Sequence, residues 1–192
     1  MKKTVIITDF DGTLVDTFVA NYKSYKTAFE LCGLSLDIDT YKKCFGLRFN
    51  EFMDYVGIED ETVRAKIKAV KAERYKRNID YIRVNQYLLG FIMLAKDNGL
   101  TVGIATTASR DNIQNILTYF KIEHLFDFVI TGEDVQHGKP DPEVYKKALA
   151  AASLNPHYTI APEAALVFED SDQGVQAAIN AGIDYIKINK FF

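Results

Sequence analysis

Cysteine is scarce in this chain. Cys32 and Cys44 are the only two in 192 residues. That excludes a disulfide framework, and their spacing fits no common zinc pattern. Both read as ordinary thiols of a reducing compartment. Long apolar runs are missing as well. Met1-Lys2-Lys3 leads into Val5 to Ile7, a stretch far too short for the apolar part of a signal peptide and followed at once by acids. No segment approaches the length of a membrane span. A soluble, cytoplasmic protein with no membrane partner is therefore expected. Charge of one sign is also lacking: the formal net charge is only −3, which argues against a generic nucleic-acid binder. There is no internal repeat and no low-complexity tract. What remains, at 48% apolar residues, is long enough for one α/β domain or for a compact core plus an inserted module.

Short apolar runs bounded by turn residues recur at wide spacing: Thr4–Thr8, Leu100–Ala105, Phe128–Thr131, Ala165–Phe168 and Tyr185–Ile188. β-Branched residues are common in them, and helical patterns lie between. This predicts buried parallel strands joined by helical crossovers, a doubly wound α/β sheet. The first two runs are about ninety residues apart, whereas a βαβ unit needs roughly thirty. The intervening stretch, 15–83, has apolar residues at helical spacing. Tyr22, Tyr25, Ala28, Phe29 and Cys32 form one face, and Val63, Ile67 and Val70 another, with breaks at Gly33, Gly46 and Gly57. An inserted helical module is expected. Between Glu61 and Arg77 it carries seven basic and two acidic residues, +5 locally against −8 for the remainder. Two readings stay open: a solvated helix face, or a positive wall facing an anionic substrate.

Four segments carry the chemistry. Asp9-Phe10-Asp11-Gly12-Thr13 follows the first strand, where doubly wound sheets place their ligands. On a regular strand Asp9 and Asp11 face the same side. Two carboxylates held together repel, unless a cation or a shared proton compensates. Thr106-Thr107-Ala108-Ser109 follows the second strand and precedes a helical run from Asp111, a setting suited to anions, although Ser109 also reads as a plain helix cap. In Gly138-Lys139-Pro140-Asp141-Pro142 the prolines hold Lys139 in a stiff loop, with Asp141 expected to cap the next helix and Pro142 at its first position. Glu169-Asp170-Ser171-Asp172 offers three acids in four residues, suited to a hard divalent cation or to capping the helix that begins near Gly174.

In this order and in these strand contexts, the four segments resemble the motifs of the haloacid dehalogenase-like superfamily. The chain is similar to its β-phosphoglucomutase and phosphoglycolate-phosphatase-like members with a helical C1-type cap. The resemblance implies a Rossmann-like parallel sheet with helices on both faces, formed by 1–14 and 84–192, plus an inserted all-helical cap, 15–83. It implies Mg²⁺ as cofactor. Asp9 would be the nucleophile and a Mg²⁺ ligand. Asp11 would be the general acid–base, with its main-chain carbonyl also on Mg²⁺. Thr106, Thr107 and Lys139 would bind the phosphoryl group, Asp170 would ligate Mg²⁺, and Glu169 would support that coordination. Asp172 has no clear counterpart and reads as solvated or capping. Arg48, in a predicted loop between cap helices, is a candidate for substrate contact.

The implied activity is Mg²⁺-dependent hydrolysis of a small phosphomonoester, a sugar phosphate or related metabolite, through an aspartyl-phosphate. The implied partner is a small phosphorylated metabolite, with the chain a monomer or weak dimer. Asp11 disfavours dehalogenation, because the superfamily's dehalogenases lack it. A mutase of the β-phosphoglucomutase type is the alternative, yet such enzymes commonly place a His just after the first motif. Here Asp16 to Tyr22 contains none, and His124, His137 and His157 all lie outside the helical insertion. A 5′-nucleotidase is a further option if Tyr41, Phe45, Phe49 or Tyr55 stacks on a base, against the plainer reading that these are core residues. A non-catalytic phosphometabolite-binding protein is the alternative of a different class.

Overall fold

The structure, a computed structural model, describes residues 2–153 and 160–188. The chain forms two compact units, one of Met1–Asp16 with Val84–Phe192 and the other of Thr17–Arg83. His157 lies outside the described residues.

In the larger unit, strand β1 (Val5–Thr8) runs Val-Ile-Ile-Thr and is buried at every position. A run apolar at successive positions suits a strand covered on both faces. Val15–Asp16 (β2) pairs with Arg83–Val84 (β3) in a separate two-stranded sheet where the chain leaves and returns. Next come helix α5 (Gln86–Asp97) and strand β4 (Thr101–Ala105), helix α6 (Arg110–Phe120) and strand β5 (Phe128–Ile130). Helix α7 (Glu143–Ala152), strand β6 (Ala165–Glu169), helix α8 (Asp172–Asn180) and strand β7 (Asp184–Lys187) complete the unit. The five main strands are parallel in the order β5-β4-β1-β6-β7. Each of the five expected strands is present, with ends shifted by at most one residue.

Val5 and Ile7 pack with Val144, Ala148, Ala177 and Ala178 of α7 and α8. Ile6 points to the opposite face by strand alternation and is also buried. Both faces of the central strand are thus covered. Asn85 caps α5, its side chain accepting the Leu88 N–H at 3.1 Å, and its own amide donates to the Leu14 carbonyl at 2.9 Å. Two caps differ from expectation. Pro142 is itself the cap of α7, while the Asp141 carboxylate accepts the Glu143 N–H at 2.8 Å. In α8 the cap is Ser171, whose Oγ accepts the Gly174 N–H at 2.9 Å, rather than an acid. A hydroxyl there leaves the neighbouring carboxylates free for other partners.

The smaller unit contains α1 (Phe18–Glu30), α2 (Ile38–Cys44), α3 (Phe49–Tyr55) and α4 (Glu61–Arg77). Its core is aromatic. Tyr41 is buried against Phe18, Phe45 and Phe52, with ring centroids 5.3, 6.1 and 5.8 Å away. Phe49 packs on the same cluster, and Tyr55 is exposed. Tyr41, Phe45 and Phe49 are therefore core residues, as the plainer reading expected. Much of the charge on α4 is used inside the unit. Arg64 pairs with Asp54 and donates to the Ile58 carbonyl. Lys66 donates to the Leu31 carbonyl at 2.8 Å. Lys71 lies over the rings of Tyr25 and Tyr75 at 5.2 and 4.3 Å. Cys32 and Cys44 are free thiols. No helix among the described residues is long and apolar enough to cross a membrane.

Gly90 lies inside α5, and a side chain there would meet nothing within 4 Å. Glycine in a helix interior costs roughly 0.5–1 kcal/mol relative to alanine. Gly90→Ala should therefore raise the free energy of urea unfolding by about that amount.

Candidate active site

Parallel strands in register bring their carboxyl ends together. Here Thr8 is aligned with Ile104 on one side and with Phe168 on the other. The residues that follow, Asp9, Ala105 and Glu169, are consequently neighbours. Strand β1 ends at Thr8, so Asp9 and Asp11 lie in the succeeding turn and strand alternation does not govern them. The Asp9 amide still bonds to the Phe168 carbonyl at 2.9 Å. Asp11, half-buried, forms an isolated bridge to Val15. Gly12 turns the chain at φ +91, and a Cβ there would overlap the Asp170 carboxylate. The approach of the first and fourth segments therefore requires glycine at that point.

Lys139 is the hub. Its side chain is 8% exposed, and its Nζ donates to Asp9 Oδ1 at 2.6 Å, to Glu169 Oε1, and to the Ala105 carbonyl at 3.3 Å. The loop that carries it is pinned at several points. The Asp141 amide bonds to the Gly138 carbonyl at 3.0 Å, and Asn180 Nδ2 donates to the Pro140 carbonyl at 3.0 Å. The Glu143 carboxylate accepts the amides of Gln136 and His137, both at 2.9 Å. Those bonds, with Lys147 at 3.0 Å, hold its pKa down from 4.5 to about 2.

Glu169 is fully buried. Its Oε1 accepts from Lys139 and from the Tyr145 hydroxyl, the latter at 2.7 Å. Its Oε2 accepts from the amides of Asp170 and Ser171 at 3.1 and 3.3 Å and from Ser171 Oγ at 3.1 Å. Asp170, half-buried, accepts from Thr13 Oγ1 at 3.0 Å. Asp9, Glu169 and Asp170 each place a carboxylate oxygen within 4.8 Å of the others. Burial pushes the Asp9 carboxyl up; Lys139 opposes this, Glu169 and Asp170 add to it, and the net pKa is well above the usual range. Burial, then Glu169, raises Asp170 as well. Burial works against the Lys139 ammonium, but Asp9 and Glu169 outweigh it and keep it charged. Burial likewise opposes ionisation of Glu169, and Lys139 overcomes it. Three grouped carboxylates around one ammonium leave an excess of negative charge, and the all-oxygen donor set fits a hard divalent cation.

The second segment lies beside this group. Thr106 is buried, its amide bonded to the Ile130 carbonyl at 3.0 Å and its Oγ1 accepting the Ala108 amide at 3.1 Å. Thr107 is half-buried. The Gly132 amide donates to the Ala108 carbonyl at 3.0 Å, and a Cβ on Gly132 would overlap the Thr107 carbonyl. Ser109 occupies the cap position of α6 without a side-chain capping bond; the Glu133 carboxylate instead accepts the Arg110 amide at 3.1 Å. Asp172 is exposed and pairs with Lys187. In the helical unit, Arg48 precedes α3, and its amide donates to Glu51 Oε2 at 3.0 Å. Its Nη2 is buried and has no hydrogen-bond partner among the described residues.

Sequence reasoning missed Tyr145, Ser171 and Gly132 as parts of this arrangement. Tyr145 sits among the apolar positions of α7 and reads as core. Only its position six residues after Lys139, on the first turn of the helix that follows, hints otherwise.

Several known proteins resemble this chain over most of its length. The family described as "Haloacid dehalogenase-like hydrolase" matches over residues 6–188. A relative from Thermotoga maritima named "Phosphorylated carbohydrates phosphatase" is 30% identical, over 94% of this chain and 82% of its own. The crystal structure of a putative haloacid dehalogenase-like hydrolase from Bacteroides fragilis superposes with a TM-score of 0.85 at 26% identity, covering 98% of this chain and 88% of that one. CbbY from Rhodobacter sphaeroides, solved in complex with phosphate, gives a TM-score of 0.85 at 25% identity, covering 96% and 85%.

Two outcomes test the scaffold of the site. A Cβ on Gly174 would overlap the Glu169 carboxylate. Gly174→Ala should displace a buried, ionised group from its donors and lower the unfolding free energy by about 1–3 kcal/mol, measured by urea denaturation. The second concerns pH. Because the folded-state pKa of Glu143 is depressed, its contribution to stability is full above about 4.5 and is lost as pH falls towards about 2. Thermal melting of Glu143→Gln should show a constant deficit from wild type above pH 5, shrinking through that window.

Proposed function

The chain belongs to the haloacid dehalogenase-like hydrolases, and from that premise we propose that it hydrolyses a small phosphomonoester through an aspartyl-phosphate on Asp9. It is a phosphoric monoester hydrolase; the finer reading is a sugar phosphate or related metabolite as substrate. The name of the Thermotoga maritima relative supports that class. One observation carries the mechanism: a buried aspartate at the end of the central strand, bonded at 2.6 Å to a lysine whose side chain is 8% exposed, with two further acids grouped around it.

The reaction has two steps. In the first, an Asp9 oxygen attacks phosphorus, the bond from phosphorus to the ester oxygen breaks, and Asp11 gives its proton to the departing alkoxide. In the second, Asp11 takes a proton from water as that water attacks the phosphoryl group, which frees inorganic phosphate and regenerates the Asp9 carboxylate. Lys139 stands by Asp9 throughout and offsets charge on the phosphoryl oxygens. Thr106 and Thr107 belong to the loop that receives those oxygens. Asp9, Asp170 and the Asp11 carbonyl would hold Mg²⁺, with Glu169 fixing the Asp170 backbone. When bound, that cation supplies positive charge to the transferring group. Arg48 remains the helical unit's candidate for contact with the substrate.

The test is a phosphomonoester panel scored by phosphate release. Wild type with Mg²⁺ should turn over at least one sugar phosphate. Release should stop in EDTA and return when Mg²⁺ is restored. Asp9→Asn should remain folded by circular dichroism and release no phosphate. Wild-type turnover by that variant would remove Asp9 from the mechanism.

A further inference from the structure

We propose that Tyr145 is a positioning residue of this site, holding the Lys139 ammonium in balance between Asp9 and Glu169. The inference rests on the reading of Asp9 as nucleophile. Tyr145 is completely buried on the first turn of α7. It touches both members of one ion pair. Its hydroxyl donates to Glu169 Oε1 at 2.7 Å, and the centre of its ring lies 5.1 Å from Lys139 Nζ.

The reason for two contacts lies in the proton count. An ammonium has three donors. Lys139 directs them at Asp9, at Glu169 and at the Ala105 carbonyl. Asp9 and Glu169 therefore compete for one positive charge in a site that is nearly dry. Glu169 Oε1 is the stronger competitor where it carries more negative charge. A hydrogen bond from the Tyr145 hydroxyl withdraws part of that charge. The ring face adds an attraction that is indifferent to which carboxylate the ammonium favours. Glu169 thus holds the lysine without capturing it, and Asp9 keeps its share. Phenylalanine would fill the same space and keep the ring, but would leave Oε1 short of a donor in a buried site. Lys139 would then shift towards Glu169 and away from the phosphoryl group, where its charge matters most in the transition state.

The experiment uses Tyr145→Phe in the full chain. With a substrate found in the phosphomonoester panel, kcat should fall about tenfold while KM stays within about twofold, the pattern of an interaction lost in the transition state. A second measurement needs no turnover: ¹⁵N-lysine NMR of the buried ammonium. The Lys139 resonance should move in Tyr145→Phe, because the ring is retained and only the bond to Glu169 is lost. Unchanged kcat, or an unmoved Lys139 resonance, overturns the proposal. So does a rise in KM that matches the fall in kcat/KM, which would indicate loss of ground-state binding alone. If wild type hydrolyses nothing in the panel, the reading of function fails, and the Lys139 resonance still decides the role of Tyr145.

Discussion

The ammonium of Lys139 lies between the carboxylates of Asp9 and Glu169, with hardly any water to share the charge. Removing such a group from water costs several kcal/mol per ion, and only close, fully bonded partners compensate. The surrounding architecture meets that condition. Glu169 takes five hydrogen bonds on its two oxygens. The lysine loop is fixed by the Glu143 carboxylate from one side and by Asn180 from another. Loss of one partner would strand the others in a medium of low dielectric.

That arrangement depends on main chain as much as on charge. Three of the four segments, from distant parts of the sequence, meet because β4, β1 and β6 are adjacent parallel strands ending at one level, and the Lys139 loop before α7 joins them through Asp9 and Glu169. They meet closely because glycine stands at the crossing points. Gly12 admits the Asp170 carboxylate, Gly174 admits that of Glu169, and Gly132 admits the Thr107 carbonyl. Each is a place where any side chain would occupy the volume of a functional group. The surplus of negative charge left among Asp9, Glu169 and Asp170 is what makes an oxygen-seeking divalent cation the natural complement of the site.

The helical unit follows a different logic. Its core is a cluster of aromatic rings around Tyr41 and Phe52, meeting edge to face where Tyr25 and Tyr41 pack on Phe52. The basic residues of α4 look like a solvated face or an anion-binding wall when read as a charge run. In the folded unit several serve internal ends: Arg64 on Asp54, Lys66 on a helix-end carbonyl, Lys71 across two tyrosine rings. Arg48, before α3, and Arg74, on α4, each keep a buried guanidinium nitrogen, Nη2 and Nε, without a hydrogen-bond partner among the described residues.

The strands, the inserted helices and the four motif segments were legible in the linear chain, because each depends on local periodicity or on residue types held a few positions apart. Val5 to Ile7 must be buried on both faces whatever surrounds them. Asp9, Lys139 and Asp170 announce charge chemistry by their settings. What the chain alone could not determine is pairing. That Thr13 bonds Asp170, that Ser171 rather than an acid caps α8, and that a tyrosine reading as core supports Glu169 are facts of packing across up to 157 positions. They depend on the register of parallel strands and on three glycines, Gly12, Gly132 and Gly174, where an added Cβ would lie 1.9–2.4 Å from a neighbouring group. A local pattern specifies which residues can donate, accept or carry charge; only the tertiary fold decides which partner each one meets, since hydrogen bonds and buried ion pairs act over about 3 Å and sequence distance says nothing about that separation.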